Sequence, residues 1–201
     1  MASKEDRRVR KTKEALRNGL LQLMKEKSIN EITVKELTEL VDINRATFYN
    51  HYRDIYDLLD SIEKEMYEDV QKTLDRYTLN KEVYQERIHF SADQSPLPLF
   101  LEIFNFLVEN LEMCLFLLGD KGDSEFIEKV LNYGKHKYIE EWQKIYHVDN
   151  LELLDATYAF IASGFMGLIR YWLANGMKQS PQEMASIAEK VILFSMKMFE
   201  K

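Results

Sequence analysis

Between residues 5 and 27 apolar side chains fall at Val9, Leu16, Leu20, Leu23 and Met24, with charges between them. This spacing is close to the helical period and predicts an amphipathic first helix. Ser28-Ile29-Asn30-Glu31 ends it. Thr33, with Glu36 three residues later, has the form of a capping box. A short second helix to about Val41 then buries Val34, Leu37, Leu40 and Val41. Asp42-Ile43 reads as a tight turn, and Asn44 as the N-cap of a short third helix, Arg45 to about His51. Asp54 caps a long fourth helix with Leu58, Leu59, Ile62, Met66 and Val70 on its inner face, running to about Leu79.

The span 80–98 is less regular, and Ser91 to Pro98 is a loop signal. Phe100–Leu118 is strongly apolar and predicts one helix, stopped by Gly119-Asp120-Lys121-Gly122. Asp123 or Ser124 caps the next, which reaches about Tyr146. Asn150 or Leu151 starts another, ending near Asn175-Gly176 with glycine in the C′ position. Ser180-Pro181, followed by Glu183, opens a last helix to Phe199. With only 7 glycines and 3 prolines in 201 residues, and 46% hydrophobic side chains, the chain is expected to be all-α with a sizeable core. The expected organisation is a helix-turn-helix head over residues 1–54, a connecting helix over about 55–79, and a helical bundle over 80–201.

Charge changes this picture in one respect. The net charge of −7 argues against nucleic acid. Residues 1–27, however, hold nine Lys or Arg against four Asp or Glu, so a basic leading segment precedes an acidic body. One cysteine, Cys114, excludes an intrachain disulfide framework. The charged start shows no signal peptide, and apolar stretches such as Leu115–Leu118 and Ala156–Ile169 are too short or interrupted to span a bilayer. The expectation is a cytoplasmic protein with no membrane partner.

Two short helices joined by a tight turn match a helix-turn-helix. Val34, Leu37, Leu40, Ile43, Phe48 and Tyr52 can close a small core with the first helix. Arg45, Ala46, Thr47, Tyr49, Asn50 and His51 are left for the outer side and N-terminal end of the third helix, the positions that enter a major groove. Arginine can donate bidentately to guanine, asparagine can pair with adenine, and the Ala46 and Thr47 methyls can touch thymine. Thr47, Tyr49 and Lys35 can reach phosphates. A solvated cap on a helical bundle is the plainer alternative.

These residues also carry a resemblance. Residues 12–66 resemble the DNA-binding domain of TetR-type regulators, through Ile32-Thr33-Val34-Lys35-Glu36-Leu37, the turn, Ala46-Thr47-Phe48-Tyr49-Asn50-His51-Tyr52 and Leu58-Leu59. Gly167 to Gly176, with the following Ser-Pro, resembles the last two helices of TetR-type regulators related to the dihydroxyacetone-kinase regulator. The resemblance implies DNA contacts at Thr33, Lys35, Arg45, Ala46, Thr47, Tyr49, Asn50 and His51, on a palindromic operator in double-stranded DNA, and Asn44 and Arg53 beside them are further candidates. It also implies a homodimer and an effector pocket in the body. Two departures stand out. Asp42 replaces the usual turn glycine, and aspartate tolerates left-handed geometry. Ile55 replaces a lysine that commonly contacts phosphate, leaving Arg53 and the basic arm Arg7, Arg8, Arg10 and Lys11 to compensate.

In the body, Phe104, Leu107, Tyr138, Trp142, Phe165 and Trp172 are candidate pocket residues, each able instead to be simple core. Ala159, Ser163 and Gly167, with Met184, Ile187, Val191 and Ser195, are candidates for a four-helix interface with a second copy, intrachain packing being the alternative. The expected function is a transcriptional regulator, a repressor released by an unidentified small molecule. The alternative is a protein of the same fold that binds ligand and not DNA. An enzyme is disfavoured: His51, His89, His136 and His147 are scattered, no metal-ligand spacing or phosphate-binding glycine loop occurs, and no cofactor or metal is expected.

Overall fold

A computed structural model describes residues 4–77, 95–119 and 124–199. Among these residues the regular elements are helical, with no strand: α1 (Lys4–Met24), α2 (Val34–Leu40), α3 (Arg45–Tyr49), α4 (Ile55–Arg76), α5 (Pro98–Glu109), α6 (Leu111–Leu118), α7 (Ser124–Tyr146), α8 (Leu151–Ala174) and α9 (Pro181–Met196). Short 3-10 turns cover Ile29–Glu31 and Lys197–Phe199. The chain divides into two compact units, Met1–Glu68 and Asp69–Lys201. The expected loop from Ser91 and the stop at Asp120-Lys121-Gly122 lie largely or wholly outside the described residues.

In the first unit Leu16 and Leu20 of α1, Leu37 of α2, Phe48 of α3 and Leu58 of α4 are fully buried and form one core. Gly19 lets α1 and α2 come together, since a Cβ there would lie 2.4 Å from Val41 Cγ1 and 2.9 Å from Leu37 Cδ1. The α2–α3 turn is a Schellman motif: Ile43 N–H donates to Thr38 O at 2.9 Å, Asp42 N–H donates to Glu39 O at 3.4 Å, and Asp42 sits at φ +52°. One expectation about α2 is corrected, and one buried residue is added. Leu40 is exposed, while Thr38 is buried because its hydroxyl is satisfied by the Val34 and Lys35 carbonyls.

In the second unit α9 packs chiefly on α5, and α7 on α8. The expected single helix over Phe100–Leu118 is two. Asn110 marks the break, at φ −114° and ψ 30°, and its side-chain Nδ2 donates to Phe106 O at 3.0 Å, a local bond that competes with continued helix. Glu189 is buried on α9, and its Oε2 accepts the Leu97 N–H at 2.8 Å, capping the start of α5. The last turns of α4 are tied to α7 by Tyr133 to Asp75 at 2.6 Å, and to α5 by the Arg76–Glu102 ion pair. The helix α8 is long and apolar enough, by length and composition alone, to cross a membrane, more than the interrupted stretch Ala156–Ile169 suggested. Its Leu154, Ile161, Ile169, Trp172 and Leu173 are core residues of the second unit.

Candidate nucleic-acid interface

Two side-chain caps set the start of α2 and of α3. Thr33 Oγ1 accepts the Glu36 N–H at 3.2 Å, and Asn44 Oδ1 accepts the Ala46 N–H at 2.8 Å. Asn44 thus commits one lone pair of its oxygen to the helix, and its amide N–H groups can serve a partner. Phe48, wholly buried, anchors the five-residue α3, with its ring against Tyr49 and Tyr52 at 5.5 and 5.8 Å. The opposite side of α3 presents Arg45, Ala46, Tyr49 and Asn50 to solvent, with Thr47 and His51 half-buried at its edges. Thr33 and Lys35 are exposed at the start of α2, and Lys35 Nζ lies 3.9 Å from Glu39.

Behind α3, Tyr52 is buried, and that burial pushes its phenol above the ordinary tyrosine range. Lys13 Nζ lies 6.0 Å from the centre of its ring. Arg10, Lys13 and Arg17, on one side of α1, share a cleft of about 680 Å³ with Tyr52, Ser61 and Glu65. Arg7, Arg8 and Lys11 are exposed.

The geometry gives Ile55 and Arg53 different surroundings. Ile55 is a core residue, 4% exposed. Arg53 is exposed, and its guanidinium is engaged by Asp57, with Nη2 at 2.8 Å and Nε at 3.3 Å from Oδ1. This bond, with the Arg53 backbone N–H on Oδ2, holds the Asp57 carboxyl below the usual aspartate range. Spacing analysis missed the pair, although an i,i+4 Arg–Asp relation was available in the sequence.

The six aromatic-pocket candidates divide. Phe104 meets Phe165 and Trp172 edge-on at 5.9 and 5.2 Å, and Leu107 is buried on the same helix as Phe104. Trp142, one turn from Tyr138 on α7, instead packs on Tyr158 at 6.0 Å. Trp142 Nε1 is buried with no hydrogen-bond partner among the described residues.

The interface candidates also sort by exposure. Ala159, Ser163 and Gly167 are exposed on α8, and Ile187 and Val191 on α9, while Ser195 is half-buried. Met184 is 1% exposed, so it belongs to the core of its own unit and is removed from the interface. The outward stripe on α9 is Ile187, Val191 and Phe194, with Phe194 75% exposed, and Met198 in the following 3-10 turn is also exposed. On α8 it includes Phe160, 72% exposed, and Tyr171. A Cβ built on Gly164 or Gly167 meets nothing within 4 Å. Among the described residues, nothing packs on these two glycines.

Residues 94–193 match the family model described as transcriptional regulator C-terminal region. An uncharacterized HTH-type transcriptional regulator of Bacillus subtilis (strain 168), YxbF, is 26% identical over 182 residues, which is 90% of this chain and 44% of that relative. The chain therefore spans less than half of that protein's length. Among solved structures, a TetR transcriptional regulator from Streptococcus agalactiae 2603V superposes with a TM-score of 0.58 at 21% identity, covering 94% of this chain and 97% of that one. The dihydroxyacetone kinase operon activator DhaS superposes at 0.62 and 20% identity, covering 94% and 98%.

Proposed function

We propose that the chain is a TetR-type transcriptional regulator that works as a homodimer and reads a palindromic site in double-stranded DNA with α3. One observation carries this reading. A short, doubly anchored helix, capped by Asn44 and pinned by Phe48, leaves Arg45, Ala46, Tyr49 and Asn50 exposed together. Those side chains can donate to guanine, pair with adenine, touch a thymine methyl and hold phosphate. Thr33 and Lys35 supply backbone contacts from α2. In a dimer the two recognition helices address half-sites about 34–36 Å apart.

The second half of the proposal concerns control. A small apolar or aromatic effector binds in the body near the aromatic side chains of α5, α7 and α8, where the buried Trp142 Nε1 supports a ligand with a hydrogen-bond acceptor. The same helices hold the last turns of α4 through Asp75 and Arg76. Because α4 is one helix from Ile55 to Arg76, a shift at its end is carried toward α3. The effector acts through its unequal affinity for the DNA-competent and incompetent states. Release of repression is the form of control proposed. DhaS, an operon activator, has the same fold, so a promoter–reporter fusion is needed to read the sign.

A mobility-shift titration with the DNA flanking the chain's own gene tests the reading. A sequence-specific, salt-sensitive shift is expected, and Arg45→Ala should weaken it by about 1–3 kcal/mol. An unchanged affinity removes Arg45 from the reading set. The absence of any shift at low salt favours a ligand-binding protein of the same fold that has lost DNA binding.

A further inference from the structure

Arg53 and Asp57 stand where α3 gives way to α4, and they are joined three times. The Arg53 backbone N–H donates to Asp57 Oδ2 at 2.9 Å, and Nε and Nη2 donate to Oδ1 at 3.3 and 2.8 Å. Asp57 is itself held, its N–H donating to Asp54 Oδ1 at 2.9 Å. The Asp57 side chain is 27% exposed, against 83% for Arg53. The anchored partner is thus the carboxylate, and the arginine is gathered back onto it. Ile55, between them, is turned into the core and offers no charge.

We propose that Asp57 is a specificity-determining residue of the head: it holds Arg53 in a neutral pair, withholds that cation from the DNA phosphates, and so lowers sequence-independent affinity relative to what α3 reads from bases. The inference rests on the reading of the head as a DNA binder. Sequence-independent affinity depends on how many phosphates a protein neutralises and how many counterions it thereby releases. A cation already paired with a carboxylate releases none, and a phosphate must displace an acceptor tied to the arginine's own backbone. Backbone contacts position a protein on DNA and carry no sequence information directly, so muting one raises the share carried by base contacts. An exposed ion pair is individually weak, so the device sets a bias of a few-fold.

The test uses the full chain and a labelled random-sequence duplex, titrated over a series of salt concentrations. The proteins are wild type, Arg53→Ala, Asp57→Asn and the double variant. Asp57→Asn is expected to bind about two- to fivefold more tightly at low salt, with a salt slope steeper by about 0.9. Arg53→Ala is expected to change little in the wild-type background and to abolish the gain in the Asp57→Asn background. That non-additivity separates a masked arginine from the mere removal of a negative charge. Asparagine keeps an acceptor for the Arg53 N–H, and the melting temperature of each variant reports separately on the start of α4. If Asp57→Asn does not fold, Arg53→Lys carries the test, because it removes the two-pronged bond without touching Asp57; its slope should steepen in the same direction. Equal Arg53→Ala effects in both backgrounds, or unchanged or weaker binding by Asp57→Asn or by Arg53→Lys, overturns the proposal. A wild-type chain that binds neither this duplex nor the flanking DNA at low salt overturns the DNA-binding reading itself.

Discussion

The Tyr158 hydroxyl donates to Leu131 O at 2.8 Å, and burial pushes its pKa up to about 12. An unfolded tyrosine ionises near pH 10. The folded state therefore keeps a proton that the unfolded state loses, so this contribution to stability is complete below about pH 10 and is lost as pH rises toward 12. Tyr158→Phe is expected to flatten the fall of melting temperature across that window, relative to wild type. Gly134 is coupled to the same atom, since a Cβ there would lie 2.6 Å from the Tyr158 hydroxyl. Overpacking costs about 1–3 kcal/mol, against about 1 kcal/mol gained when alanine replaces glycine in a helix. Gly134→Ala is expected to destabilise the wild type by about 1 kcal/mol and to be neutral or stabilising beside Tyr158→Phe; equal effects in the two backgrounds, measured by denaturant unfolding, would refute the coupling. None of this was legible in the sequence, because Gly134 and Tyr158 meet only through the packing of α7 on α8. Asp42 was legible, since a left-handed turn residue is a local demand that a short polar side chain meets.

Helix ends follow the same division. The starts of α2, α3, α8 and α9 are set by Thr33, Asn44, Asn150 and Ser180, whose side chains each accept a backbone N–H within three residues. The end of α8 is set by Gly176 at φ +70°. Such signals are written within one turn of chain and can be read without tertiary knowledge. The break at Asn110 was not read, because the apolar run continues across it and the amide's bond to Phe106 O carries no periodicity. The outward face of α9 was misjudged by a similar route. Both of its faces are apolar, so spacing alone could not choose between Met184 inside and Phe194 outside. Glu189 shows an element fixed from a distance, since a carboxylate on α9 caps the N-terminal end of α5. Glu189→Ala leaves the Leu97 N–H without this acceptor and should cost about 1.5–3 kcal/mol in urea unfolding. Glu189→Gln retains an acceptor and should cost less, and equal losses would show that Glu189 does not act through Leu97. Asn44→Ala, which uncaps α3, should cost about 0.5–2 kcal/mol and weaken DNA binding beyond what the loss of one amide contact explains.

At the scale of the whole molecule, two apolar stripes of the second unit are exposed among the described residues. Phe160, Ser163, Gly164, Gly167 and Tyr171 are exposed on α8, and Ile187, Val191 and Phe194 on α9, with Met198 exposed in the 3-10 turn that follows. The small residues of α8 have open space where a Cβ would stand. A face with bulky apolar side chains flanking a small-residue groove suits the same face of a second copy, related by a two-fold axis. Solvent exposure of this much aromatic surface in a free monomer would otherwise favour association of some kind. The two-fold arrangement makes a quantitative demand. Each substitution in an isologous interface is felt twice, because residue and symmetry mate both lose their contacts. Burying one phenylalanine is worth about 1.5–3 kcal/mol, so placing a charge at both copies of Phe194 should cost about 4 kcal/mol of association, roughly a thousandfold in dissociation constant. Phe194→Glu is therefore expected to sediment as a monomer at micromolar concentration where the wild type is a dimer. Its helical circular dichroism should be unchanged, because Phe194 lies outside the intrachain core. Met184→Glu at the inward position should instead unfold the unit, because it buries an unpaired charge. If Phe194→Glu leaves sedimentation unaltered, the α8–α9 face is not where two copies meet.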